Sequence, residues 1–243
     1  MDDEHDPSDS TAAADRLARW SADDLRRMAS DPELTDDMAL ALLAAGDLPA
    51  EAIETLARNA GIMQQRKALT GIVTHPHAPR HISLPALRKL FTFELMKVAM
   101  ASTVAPDVKR AAEDILIGKL EKVPLGERLT LARRASGRVA VALLRDSDVK
   151  VVTAALDNRF LTERMLTAAV AAANRGEKLL DSLCRHPKWR ERTEVRLALL
   201  RNGNLSQERA LELARGLPAR ELDEVLRASH LPPEIQQELR KKP

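Results

Sequence analysis

The chain has 243 residues, 30% of them charged, yet its formal net charge is only +2, and it contains no Tyr, three Phe and two Trp. Ala and Leu, 38 and 37 residues, make up close to a third of it. That composition excludes a β-rich domain, whose strands favour aromatic and β-branched residues, and also collagen, a disulfide scaffold and wholesale disorder. The single Cys184 permits no intramolecular disulfide and no Cys-rich zinc or iron–sulfur site, and reads as a small buried apolar residue in a reducing compartment. No apolar run reaches the ~18 residues of a membrane helix. Met1–Ser10 is acidic and lacks the apolar stretch of a signal peptide, so a soluble cytoplasmic protein is expected.

The net charge conceals an asymmetry. Residues 1–37 carry 12 acids and 4 arginines, a net of −8, so the remainder carries about +10; from Glu121 onward there are 24 Lys and Arg against 17 acids. Either the basic body binds something anionic, or the acidic head partly neutralises it.

In chain order, residues 1–11 read as a disordered acidic tail and residues 12–240 as a single α-helical repeat domain. Ser21 with Asp24 forms an N-terminal box for a helix from Ala22, and Thr35 precedes Asp36 and Asp37, whose charges suit the positive end of a helix dipole. Ile53, Leu56, Ala57 and Ala60 follow helical spacing. Asp146 or Asp148 caps Val149–Leu156, while Thr162 and Ser206 stand ahead of helices at 163–172 and 207–215. Val195, Ala198 and Leu199, then Ala210, Leu213, Ala214 and Leu217, then Leu222, Val225 and Leu226 continue the same spacing. Pro and Gly punctuate at short intervals, which predicts roughly ten to fourteen short helices and no strands.

The sequence also matches itself. Leu84–Pro106 aligns without a gap to Leu211–Pro233 with nine identities in 23 positions, where composition alone would give about two. A second alignment pairs Ala41-Leu42-Leu43 with Ala198-Leu199-Leu200 and Gly46 with Gly203, while the spacing of the first places His75 at the turn position of Asn202 and His77 at that of Asn204. A weaker copy matches Asn158 to Asn202. The recurring unit is an apolar helix, a turn and a second apolar helix, a hairpin that exposes too much apolar surface to stand alone and is stabilised by stacking.

Asp148-Val149…Ala154-Ala155-Leu156-Asp157-Asn158 and Val195-Arg196-Leu197-Ala198-Leu199-Leu200-Arg201-Asn202 resemble HEAT-like and leucine-rich-repeat-variant helical repeats. Residues from about 31 to 240 also resemble uncharacterised bacterial helical-repeat proteins, through His75-Pro76…Pro79-Arg80-His81, Leu90-Phe91-Thr92-Phe93, Leu131-Ala132-Arg133-Arg134-Ala135-Ser136 and Cys184-Arg185-His186-Pro187-Lys188-Trp189. The resemblance implies an all-α, right-handed α-superhelix (solenoid) of stacked HEAT-like hairpins. It implies little about activity, because such repeats mainly serve as binding scaffolds. The units here are longer and irregular, and the cysteine cluster by which some leucine-rich-repeat variants hold an iron–sulfur centre is missing, so no cofactor is carried over.

Three clusters invite a chemical reading. His75, His77 and His81 lie within seven residues, but no carboxylate is close in sequence. Turn and helix-cap chemistry is the preferred reading over a metal site, with Arg80 and His81 at a helix start as an alternative anion site. Arg185-His186-Pro187-Lys188-Trp189-Arg190-Glu191-Arg192 is the densest basic stretch: either its cations and Trp189 grip phosphate and a ring, or Trp189 fills a gap between hairpins, and the second is preferred. Arg133 and Arg134, with Arg128 and Arg138, extend that surface. No G-x-S-x-G, phosphate-binding glycine loop, H-E-x-x-H or C-x-x-C is present.

The expected function is therefore a non-enzymatic scaffold for a protein or peptide partner, with no cofactor, no metal and no membrane association. Its candidate binding surface is Arg80, His81, Arg133, Arg134, Lys188, Trp189 and Arg192. The alternative is a nucleic-acid-binding HEAT-like protein that uses the basic C-terminal half and resembles the glycosylases that act on alkylated DNA bases.

Overall fold

The computed structural model describes residues 20–173, 176–215 and 217–241, so the tail expected at 1–11 lies outside the described residues. These are all helical or turn, without a strand. Two compact units divide the chain between Gly118 and Lys119. The first contains α1 (Ala22–Ala29), α2 (Asp36–Ala44), α3 (Ala50–Arg58), α4 (Ala60–Gln64), α5 (Arg66–Thr74), α6 (Arg80–Ala86), a 3₁₀ turn (Leu87–Lys89), α7 (Thr92–Met100) and nearly all of α8 (Pro106–Lys119). The second follows with a 3₁₀ turn (Leu120–Lys122), α9 (Leu125–Arg134), α10 (Gly137–Leu143), α11 (Val149–Leu156), α12 (Glu163–Ala171), α13 (Glu177–Arg185), α14 (Thr193–Arg201), α15 (Gln207–Ala214), α16 (Ala219–Arg227) and α17 (Pro233–Lys241).

The caps explain many of the helix starts. Asp24 N–H donates to Ser21 Oγ, and Ser21 N–H returns a bond to Asp24 Oδ2, both at 3.2 Å. Thr35 Oγ1 accepts from Met38 N–H at 3.3 Å, Thr162 Oγ1 from Met165 N–H at 3.3 Å, and Ser206 Oγ from Arg209 N–H at 3.4 Å. Asp148, not Asp146, caps α11, through Lys150 N–H at 2.8 Å. Asp146 instead accepts Asp148 N–H and binds Arg128 at 2.6 Å.

Seventeen α-helices are described, more than the spacing predicted, because single polar residues break apolar runs. Asn59 ends α3 and caps α4, its Oδ1 accepting Gly61 N–H at 3.0 Å and Ile62 N–H at 3.3 Å. Ala60 therefore starts a new helix and is exposed rather than completing the stripe of Ile53 and Leu56.

Helices pack in alternating series, on second neighbours throughout the second unit. In the second unit α9, α11, α13, α15 and α17 form one series and α10, α12, α14 and α16 another; in the first, α2 packs on α5 and α5 on α7. The core is aliphatic: Leu42, Ile53, Leu56 and Ile72 are fully buried in the first unit, and Leu131, Leu156, Leu183 and Leu199 in the second. Ala on the facing stripes lets helices approach and Leu fills between them. Gly137 and Gly203 mark the tightest approaches. A Cβ at Gly137 would sit 2.5 Å from the Phe160 carbonyl oxygen, and one at Gly203 2.6 Å from that of His230, closer than atoms can lie.

Candidate binding surfaces and the helix-end ladder

The residues singled out by self-comparison form one repeated structure. The last carbonyls of an α-helix have no intrahelical partner, and here the next helix in the series supplies it. Asn202, at the end of α14, donates from Nδ2 to Val170 O at 2.7 Å, at the end of α12, and its Oδ1 accepts Asn204 N–H at 2.9 Å. Asn158, at the end of α11, donates to Ala132 O and Ala135 O at 2.8 and 3.0 Å and accepts Phe160 N–H at 2.7 Å. Beyond α16, Ser229 Oγ donates to Leu200 O at 2.7 Å and accepts Leu231 N–H at 3.1 Å.

His75 takes this role in the first unit. Its Nδ1 accepts His77 N–H at 3.1 Å, which leaves the hydrogen on Nε2 to be donated to Ala45 O at 3.0 Å. His77 adds a bond from Nδ1 to Leu48 O at 3.1 Å, and Thr103 Oγ1 donates to Thr74 O at 2.8 Å one step further along the series. Burial holds the His75 imidazole below its ordinary pKa and is the largest influence; His77 pulls the same way, while the Ala45 carbonyl and Asp47 oppose it. Of the three clustered histidines, His75 and His77 thus belong to the turn, and His81 stands apart with its Nε2 3.6 Å from Glu54. No group of three or more His, Cys, Asp or Glu side chains arranged for a metal occurs among the described residues.

The basic candidates fall into two places. Arg80, the first residue of α6, pairs with Asp107 at 3.0 Å, so both Arg80 and His81 face an acid. In the second unit Arg133 and Arg134 are exposed in the last turn of α9. Lys188 and Arg192 are exposed between the end of α13 and the start of α14. Since α9, α11 and α13 pack in one series with their C-terminal ends bonded together, these cations share one edge, with the end of α11 between them. Helix C-termini carry partial negative charge, and cations there are stabilised.

Trp189 differs from the rest of that set. It is 3% exposed, its indole N–H donates to Leu156 O at 2.8 Å, and Lys188 Nζ lies 4.1 Å from its ring centroid. It closes the α11–α13 step of the ladder. Beside it, Cys184 is buried, and burial pushes its thiol up to about 11, so it stays protonated at neutral pH.

Many arginines of the basic half are bound within the unit: Arg128 to Asp146, Arg185 to Asp181 at 2.8 Å, Arg209 to Asp181 and Glu212, and Arg196 to the carbonyls of Leu213 and Arg215. A cleft of about 440 Å³ opens beside Asp146, Ser147, Glu177 and Lys178; the Lys178 ammonium spans it to Ser147 O at 2.6 Å.

Sequence reasoning missed the most exposed aromatic pair. Phe91 is 67% and Phe93 43% exposed, around the start of α7. The Arg66 guanidinium lies over the Phe91 ring, 3.6 Å from its centroid. Arg66 is held by Glu94 and by Lys89 O at 2.7 Å, and Glu94 also accepts Phe91 N–H at 2.7 Å. Helical spacing carried a signal: the buried stripe of α7 is Leu95, Val98 and Ala99, from which Phe93 falls away onto the face of Lys97.

Compared with known protein families, curated proteins and solved structures, the chain matches none. Among the described residues no helix is long and apolar enough to cross a membrane.

Proposed function

We propose that the chain is a non-enzymatic cytoplasmic scaffold, each unit a run of HEAT-like helical hairpins wound right-handed, whose surface binds a protein or peptide. The observation that carries this reading is the helix-end ladder: helices tied end to end, second neighbours through Asn158, Asn202 and Ser229 and α2 to α5 through His75. A frame fixed in this way presents exposed side chains with little ordering cost on binding. The binding edge proposed in the second unit comprises Arg133, Arg134, Lys188 and Arg192, with Trp189 fixing the turn from within. Arg80 and His81 serve as a secondary contact in the first unit.

The nucleic-acid alternative is weaker on this surface. A strand binds through several unpaired cations, and Arg128, Arg185 and Arg209 of this half are already bound to Asp146, Asp181 and Glu212.

The test is affinity capture with the full chain from the cells that make it, paired with mobility of labelled duplex DNA at about 50 mM salt. A protein captured in stoichiometric amount, and reduced when Lys188 and Arg192 are changed to Glu, is the expected result. A salt-dependent DNA shift without a captured protein overturns it.

A further inference from the structure

Phe91 and Phe93 are two of only five aromatic residues in the chain, and both stand in solvent. Exposing such rings is unfavourable unless something covers them. Their surroundings are basic. Between Arg80 and Pro106 the only acid is Glu94, and it is already committed to Arg66 and to the Phe91 amide. Arg88, Lys89 and Lys97 are exposed, and among the described residues none of their side chains makes an ion pair.

We propose that this patch is a docking site for a short acidic segment of another protein that carries apolar anchor side chains. The inference rests on the scaffold reading above and names the chemistry of its partner. Phe91 is set before the partner arrives: its amide is bonded to Glu94, its inner ring face is covered by Arg66, and its outer face is open. Phe93 and Lys97 lie one turn apart on one face of α7, so an apolar side chain that lands on Phe93 brings a neighbouring carboxylate to Lys97. Arg88 and Lys89 supply two further positive charges immediately before Phe91.

Charge selects a short segment over a nucleic-acid strand. Residues 20–118 carry 13 acids against 11 Lys and Arg, so the positive patch is local in a unit that is negative as a whole. A strand extending beyond the patch would meet repulsion, whereas a peptide of a few acidic residues would end within it. The patch thus joins apolar anchors to flanking unpaired cations, the combination that an acidic, apolar peptide complements.

The test measures polarisation of a fluorescein-labelled peptide of about twelve residues in which Asp and Glu alternate with Leu and Phe. Two probes accompany it: the same peptide with Ser at every apolar position, and labelled oligothymidylate of about fifteen nucleotides. The full-length protein is expected to bind the acidic apolar peptide at least about tenfold more tightly than the Ser version, and more tightly than oligothymidylate. Phe91→Ser with Phe93→Ser, and separately Arg88→Glu with Lys89→Glu, are each expected to weaken binding about tenfold or more, while circular dichroism and the thermal transition stay unchanged. Lys97→Glu alone provides a third variant with the aromatic pair intact and a smaller loss.

Equal binding of the two peptides, or binding indifferent to all three variants, overturns the proposal. So does tighter binding of oligothymidylate lost in the same variants, or a self-association by sedimentation that the Phe substitutions abolish, because the occupant is then a nucleic acid or a second copy. Failure of the scaffold reading looks different: wild type captures no protein and shifts duplex DNA, whatever the Phe91 and Phe93 variants do.

Discussion

One step of the helix-end ladder is made by asparagine in the second unit and by histidine in the first. At the end of α14 the carboxamide of Asn202 donates to a carbonyl of the preceding helix and accepts the amide two residues on. At the end of α5 the imidazole of His75 does both, with Nε2 and Nδ1. The geometry is shared, but the chemistry is not. A carboxamide has no titration near neutral pH, whereas a protonated His75 would place a hydrogen on Nδ1 facing the His77 N–H and destroy the acceptor. The Asn202 step is therefore indifferent to pH and the His75 step acid-labile.

The comparison is broken most severely by Asn158→Ala. That change strands Ala132 O, Ala135 O and Phe160 N–H at a fully buried position, and a loss of about 2–4 kcal/mol is expected. The urea midpoint, with hydrogen exchange at α9 and α11 to locate the opening, checks it. Gly203→Ala is expected to cost about 1–3 kcal/mol by forcing the His230 carbonyl away from the Asn202 turn, read by the same midpoint.

His75→Asn sharpens the comparison directly. The folded-state pKa of His75 lies below its ordinary 6.5, so the unfolded chain binds the proton more readily. The stability due to neutral His75 is complete above about pH 6.5 and falls as pH drops below it toward the lowered value. Wild type is expected to lose stability across that window in unfolding measured at a series of pH values. The Asn variant should fall within about 1 kcal/mol of wild type at pH 8 and show a flatter profile below pH 6.5. A slope unchanged by the substitution would assign the acid sensitivity to other groups. Least affected is Arg185→Ala: it removes an exposed i,i+4 pair with Asp181, and a change within about 0.5 kcal/mol is expected in thermal unfolding.

A second contrast concerns charge. The second unit holds the basic excess of the chain, yet Arg128, Arg185 and Arg209 are bound to acids of their own unit. The first has no such excess, yet Arg88, Lys89 and Lys97 flank two exposed rings. Net charge along the sequence located the positive residues without locating the available ones: Arg185 pairs within its own helix, whereas Arg128 and Arg209 reach Asp146 and Asp181 on other elements.

Much of the local structure was legible in residue order. Ser21, Thr35, Thr162 and Ser206 cap the helices they precede, since a short side chain reaches the exposed amides of the first turn from its own position. The equivalence of His75, Asn158 and Asn202 was also legible, because a turn that must satisfy the preceding helix end restricts the residue there to one that both donates and accepts. The breaks at Asn59 and Gln65 were not legible. An apolar stripe continues across both, and the break shows only where α4, capped by Asn59, packs on α3 and α5 as a separate helix.

The sequence by itself determined an all-helical protein with an aliphatic core, several of its helix starts and the equivalence of His75, Asn158 and Asn202, all of which follow from spacing, capping and composition. Tertiary structure alone decided that Trp189, read from sequence as filling a gap between hairpins, bonds the end of α11, that Phe91 and Phe93 stand in solvent, and that Arg128 meets Asp146. The physical reason is that burial, and the ion pairs made between helices, depend on neighbours distant in the chain, as between Trp189 and Leu156, and periodicity within one helix carries no information about them.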